Sequence, residues 1–275
     1  MNDTQSKTLY RSSTCILTLS ILVLFLVSLW QEKIVIQRDG DFVAHLEKTS
    51  LQRALLFDDP HVLQDLVLVL QKYHIQSKEQ LIFIPWNERE LFMGSCPLFW
   101  QGLEVWFTTR TVCAKQPVTW CEKIKQGEVW RLFSPALLHG SFWHLLFNLG
   151  WLWILGWRIE IVLGSRWFWM LVLMISGISN CAQYVMGGPF FLGFSGVIAG
   201  FAGMIWVCQR KSHWQAFSIP KATLLSLMIF AGGAALLEGG CIALRLFFHK
   251  ECVLSIANTA HIVGFCVGYG LGKLR

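Results

Sequence analysis

Six apolar stretches constrain what this chain can fold into more than any other feature. They fall at residues 14–30 and at about 141–160, 167–186, 195–208, 221–243 and 255–272. An α-helix of about 20 apolar residues is what crosses the roughly 30 Å hydrocarbon layer of a bilayer. The stretches lack the alternation of a transmembrane barrel strand. Composition agrees, with 54% hydrophobic and 15% charged residues, whereas soluble domains carry about 25% charge. The expected fold class is therefore an all-α membrane protein, with the lipid bilayer as its first partner. The net charge of +6 is no nucleic-acid signal, because several basic residues sit at the ends of apolar runs, as topology determinants do.

Those basic residues set an expected orientation. Lys7 and Arg11 precede the first run and keep residues 1–13 cytoplasmic. The run ends in Trp30 without a small-x-small cleavage site, so an uncleaved helix is favoured over a signal peptide. Arg158/Arg166, Arg210/Lys211/Lys221 and Lys273/Arg275 then all face the cytoplasm, while Arg245/Lys250 is the exception. Six helices with both termini inside follow. A seventh span over Leu91–Leu103 is the weaker alternative, because the stretch is short and is cut off by Glu104 and Arg110.

Residues 31–127 differ in character. Residues 31–130 carry 11 Lys/Arg against 13 Asp/Glu, so this is a water-facing, non-cytoplasmic insertion after the first helix. Helices are expected over about 41–57 and from Asp59-Pro60, where proline stands at the first helical position. Nine cysteines are present, none in CxxC spacing, so no zinc site is expected. One disulfide among Cys96, Cys113, Cys121 and Cys252 stays open.

The polar residues inside the apolar block carry the chemistry, because each is costly there. Ser195 opens a short run in Gly193-Phe194-Ser195-Gly196, and His261 opens another. His144 and Asn148 are four apart, on one helical face. Taken singly, each has an ordinary structural explanation. Gly193, Gly196, Gly200 and Gly203 line one face, and His261, Gly264, Gly268 and Gly272 line another. Such stripes let two helix backbones approach closely, which would bring Ser195 to His261. A neutral imidazole can take the proton of a serine, and Asn148, His144 and the Ser195 N–H suit an oxyanion. No acidic residue lies near His261 on its helix, so a dyad is expected. An inverted repeat, as in many transporters, is not visible.

At these residues the sequence resembles the rhomboid family of intramembrane serine proteases. The matching stretches are Glu128-Val129-Trp130-Arg131, His139 to His144 to Asn148, Glu160-x-x-x-Gly164, Gly193-Phe194-Ser195-Gly196, and Asn258-Thr259-Ala260-His261 with Gly264 and Gly268. They span about 128–273, in order. The resemblance implies a six-helix catalytic core over 128–275 together with the helix at 14–30. It implies cleavage of other proteins' transmembrane segments, no metal and no organic cofactor; single-span membrane proteins are the expected substrates. By that resemblance Ser195 is the nucleophile, His261 the general base, His144 and Asn148 serve the oxyanion, and Arg131, His139 and Glu160 are structural. A client-binding protein without activity is the alternative; such proteins typically lose one of the catalytic residues. Many bacterial members carry Tyr one turn after the nucleophile, where this chain has Ala199, which leaves open what holds His261. Oligomeric state is not legible. A bacterial inner membrane is preferred, from the compact core and a start poor in Arg.

Overall fold

A computed structural model describes residues 13–46, 49–58, 68–74, 80, 121–187, 191–211, 219–220, 222–223, 225–227, 229, 232–233, 236 and 257–274. No strand occurs among the described residues. The helices are α1 (Ser13–Leu46), α2 (Ser50–Leu55), α3 (Glu122–Lys125), α4 (Phe142–Trp151), α5 (Trp157–Leu163), α6 (Ser165–Gly187), α7 (Ser195–Cys208) and α8 (Asn258–Leu274). Between α4 and α5 the rod widens into a π-turn over Leu152–Gly156. Among the described residues three segments are long and apolar enough to cross a membrane, Ser13–Arg38, Phe142–Leu163 and Ser165–Met186. The described residues between 222 and 236 that fall in the expected fifth span are helical. The expected helix start at Asp59-Pro60, the stretch 91–103 and the loop around Arg245 lie outside the described residues.

The first helix is longer than the apolar run. It continues from Trp30 through Leu46. Gln31, Glu32 and Lys33 end the apolar surface but are good helix formers, and no proline interrupts. Its 34 residues make a rod of about 51 Å at 1.5 Å per residue, well beyond the bilayer core. The helix expected over 41–57 is accordingly two pieces: 41–46 complete α1, and α2 begins afresh. Thr49 starts it, because its side chain accepts from the Gln52 N–H while the Gln52 side chain accepts from the Thr49 N–H, a capping box.

Polar clamps fix the two ends of the bundle. At one end Glu160 accepts from the backbone N–H groups of Ser13 (2.5 Å) and Thr14 (2.9 Å), and from the hydroxyls of Thr14 (2.7 Å) and Ser165 (2.7 Å). The carboxylate thus satisfies the open N–H groups of the first turn of α1 and favours that helix's positive end. At the same end Lys211 donates to the last carbonyls of α8, those of Gly272 (3.1 Å) and Lys273 (3.4 Å). At the other end Arg131, only 3% exposed, donates to Glu128 and to the carbonyls of Arg53 and Leu56. Ser134 donates to the Leu55 carbonyl and the Trp130 indole to that of Ala54. The stretch 49–58 is thereby tied to the segment leading into α4.

Between helices already in lipid there is little hydrophobic gain, so close van der Waals packing must hold them. α7 is buried on nearly every side. It packs most extensively on α8, which also packs directly on α6, and its glycines meet those of α8 backbone to backbone. A Cβ placed on Gly264 would collide with the Gly196 carbonyl, and one on Gly268 with the Gly200 carbonyl. A Cβ on Gly203 would strike the Phe265 carbonyl. Gly156 fits for a related reason: a Cβ there would lie 2.8 Å from Leu152 and 3.4 Å from Phe201. Leu155, Ile159, Phe168, Ile175 and Phe201 fill the core around it.

Candidate active site

Ser195 is the first residue of α7, and the turn before it needs glycine. Gly193 has φ +121°, a conformation that strains any side chain. Its N–H donates to the Pro135 carbonyl at 3.0 Å. A Cβ on it would also press within 2.7 Å of the His144 ring nitrogen Nε2, so the loop backbone lies against that imidazole. Phe194 follows with its ring fully buried. The chain then enters the helix with the Ser195 side chain partly exposed.

Ser195 Oγ and His261 Nε2 are 2.7 Å apart. The pairing descends from the glycine stripes. Gly264, one turn beyond His261, seats on Gly196, the residue after Ser195. With no side chain between the two backbones, the hydroxyl and the imidazole meet at the head of the groove. His261 Nδ1 is buried and has no partner among the described residues. The imidazole is therefore placed by its backbone. Ala260, beside it, donates its N–H to Gln183 Oε1 on α6 at 3.1 Å. That N–H is one of the open donors of the first turn of α8, so Gln183 caps α8 from a neighbouring helix. Among the described residues, the Gln183 contact from α6 and the glycine seat hold the backbone that carries His261.

α4 brings the other two polar groups. Ser141 caps it, accepting from the His144 N–H at 3.2 Å. Asn148 is 1% exposed; its Nδ2 donates to the His144 carbonyl at 2.9 Å, which leaves a second N–H on that nitrogen. Its Oδ1 is buried without a partner among the described residues. His144 faces Gly193, and its ring centroid is 5.0 Å from that of His139. No hydrogen bond joins His144 or Asn148 to Ser195 or His261 among the described residues. His139 is buried next to the site; burial and the neighbouring His144 hold its pKa down to about 3. It is neutral at pH 7. Cys121 is a free thiol, pushed up by burial and by Asp58; Cys96, Cys113, Cys252 and Glu238 lie outside the described residues. Among the described residues no group of three His, Cys, Asp or Glu could hold a metal ion.

Gln183 and Ser179 have no place in the sequence reading of the site. Ser179 Oγ would stand 3.1 Å from a Cβ on Gly196. The signal was present: Ser176, Ser179, Asn180 and Gln183 recur at helical spacing inside an apolar run, and all four are buried. A polar stripe in a membrane helix calls for partners across the bundle.

Chemically, the arrangement holds a hydroxyl against an imidazole nitrogen, beside donors from α4 and the open N–H groups at the start of α7. That is the equipment of nucleophilic acyl transfer. Residues 126–275 match the family model described as Rhomboid domain. Over 144 residues the chain is 36% identical to "Rhomboid protease GlpG" of Pectobacterium atrosepticum, covering 52% of this chain and 48% of that protein. The protein of the same name from Haemophilus influenzae is 34% identical over 144 residues, 52% of this chain and 68% of its own length. That of an Enterobacter species is 32% identical over 148 residues, 53% and 48%. The chain thus spans about half the length of two of these relatives and about two thirds of the third.

Proposed function

This chain belongs to the rhomboid family of membrane proteins, and we propose that it is an intramembrane serine endopeptidase that cuts transmembrane segments of other membrane proteins. The observation that carries the reading is the 2.7 Å approach of Ser195 Oγ to His261 Nε2. His261 removes the hydroxyl proton as Ser195 Oγ attacks the scissile carbonyl carbon. The negative charge that develops on the carbonyl oxygen is met by the Ser195 N–H, the free Asn148 Nδ2 N–H and the His144 ring. Collapse of the intermediate breaks the C–N bond, and the imidazolium returns its proton to the leaving amine. Water, deprotonated by His261, then releases the acyl group from Ser195.

In this reading six helices span the membrane with both termini in the cytoplasm, and residues 31–127 form an insertion on the other side. α7, at 14 residues, is about 21 Å long. It is short because its first turn opens on a water-filled cavity below the bilayer surface. Substrates are single-span proteins that enter from the side and unwind locally, since a helical peptide bond is shielded. The membrane is a bacterial inner membrane, as the bacterial relatives suggest. A client-binding role without catalysis finds no support in a site where hydroxyl and base are in contact.

The test is reconstitution of the full chain in liposomes with a single-span substrate. The parent should cut, and Ser195→Ala and His261→Ala should each lose cleavage by at least about a thousandfold. Equal cleavage by the parent and either variant would overturn the assignment.

A further inference from the structure

One hydroxyl gathers both boundaries of a long stretch of chain. Tyr184, near the end of α6, donates to Asp58 Oδ2 at 2.9 Å. The Tyr184 hydroxyl oxygen in turn accepts the Cys121 backbone N–H at 3.1 Å. Asp58 and Cys121 are the residues that flank positions 59–120, so both ends of this stretch are held within hydrogen-bond reach of a single atom. The site is dry enough to matter: Tyr184 is 2% and Asp58 5% exposed, and such bonds strengthen as water is excluded.

The anchorage continues toward the active site. Phe57 is 1% exposed. Its ring stacks on Tyr184, with centroids 4.4 Å apart and planes at 25°. On its other side it meets Phe191, with centroids 5.8 Å apart. Phe191 is two residues before Gly193, whose backbone lies against His144 and leads into Ser195. The loop 191–194 is thus held at Phe191 by Phe57 and at the Gly193 N–H by the Pro135 carbonyl.

We propose that Tyr184 and Phe57 form a clasp that positions the loop entering the nucleophile. Tyr184 closes the ends of the insertion on the catalytic core, and Phe57 passes that anchorage to Phe191. The loop is thereby kept in the conformation that presents Ser195 and its N–H to the reacting carbonyl. Both are positioning residues. The inference rests on the proteolytic reading above, and adds that stretch 49–58 sets the turnover rate of the site rather than the affinity for substrate.

The test uses the full chain in liposomes with a fluorogenic single-span substrate, a fluorophosphonate that labels Ser195, and thermal unfolding of each variant. Phe57→Ala should lower kcat about tenfold with KM within about twofold, because misplacing a catalytic group by 1 Å costs up to about a hundredfold. Fluorophosphonate labelling should slow by a similar factor. Phe57→Leu should recover most of the rate. Tyr184→Phe keeps the ring stack and loses only the oxygen, and should cost about threefold in kcat, or roughly 0.7 kcal/mol. If Phe57→Ala does not fold, Phe57→Leu and Tyr184→Phe carry the test. A kcat per folded molecule within about twofold of the parent in every folded variant, or a loss confined to KM, overturns the clasp. A parent that cuts no better than Ser195→Ala overturns the proteolytic reading instead, and the role of the clasp with it.

Discussion

Gly264 of α8 rests on the carbonyl of Gly196 of α7, with no room for a Cβ between them. Each glycine is within three residues of one member of the Ser195–His261 pair, so the spacing of two helix backbones is also the spacing of a hydroxyl and a base. Gly264→Ala must push the helices apart, because the obstacle is backbone and cannot swing away. Overpacking of this kind costs about 1–3 kcal/mol. Activity should fall further than stability, by about a hundredfold, since the dyad separates as the helices do. Cleavage rate and melting temperature of the same preparation check this. Gly270→Ala, where a Cβ meets nothing within 4 Å, is the control that should leave both unchanged.

Gln183 allows a sharper distinction. Its Oε1 accepts the Ala260 N–H. Gln183→Leu keeps approximate volume and removes the acceptor, leaving a buried donor that costs about 1–3 kcal/mol. The start of α8 then loosens beside His261. Cleavage should drop about tenfold. Gln183→Glu, which restores an acceptor, should recover a good part of it, whereas a variant lost only through poor packing would not be rescued this way. Parallel kcat measurements on the two variants decide it.

These two relationships differ in how far the sequence revealed them. Glycine stripes are legible because each is periodic within one helix, and two complementary stripes in a membrane have few alternatives to facing each other. The meeting of Ser195 with His261 follows from that. Gln183 with Ala260 is a pairing 77 positions apart, and Tyr184 with Asp58 one of 126. No local pattern encodes either partner. The end of α1 was hidden for another reason. A rise in polarity at Gln31 marks the end of an apolar surface, while the helix stops only where its backbone is interrupted. The restart at α2 was written in Thr49 and Gln52, whose capping box is a local signal.

His139 makes stability depend on acidity. Its pKa in the folded chain is about 3, lowered first by burial and then by His144, against about 6.5 when unfolded. Below pH 6.5 the unfolded chain takes up a proton at this position that the folded chain does not. Stability is therefore whole above about pH 6.5 and declines as pH falls toward 3, by up to about 1.4 kcal/mol per pH unit. At pH 5 the loss from this residue is about 2 kcal/mol. Unfolding temperatures at pH 7.5 and 5.0 should differ clearly in the parent. In His139→Asn, which cannot titrate there, the difference should shrink; an unchanged difference would remove His139 as its source.

Glu160 tests whether the end of the bundle far from Ser195 matters to the chemistry. Four donors converge on its two oxygens, two of them open N–H groups of α1. Glu160→Ala leaves those donors without the carboxylate, and hydrogen bonds to a charged group are worth about 1.5–3 kcal/mol each. Part of the loss is recovered by water at a helix end, so a fall of about 3 kcal/mol is expected rather than the sum. Glu160→Gln keeps one acceptor oxygen but turns an N–H toward the remaining donors, and should recover less than half. The Ser195–His261 pair lies at the opposite ends of α7 and α8, so the molecules that stay folded should cut at the parent's rate. Melting temperature and cleavage per folded molecule, measured below the variant's transition, separate the two effects. A variant that melts like the parent but cuts slowly would mean that α1 communicates with the dyad, contrary to this account.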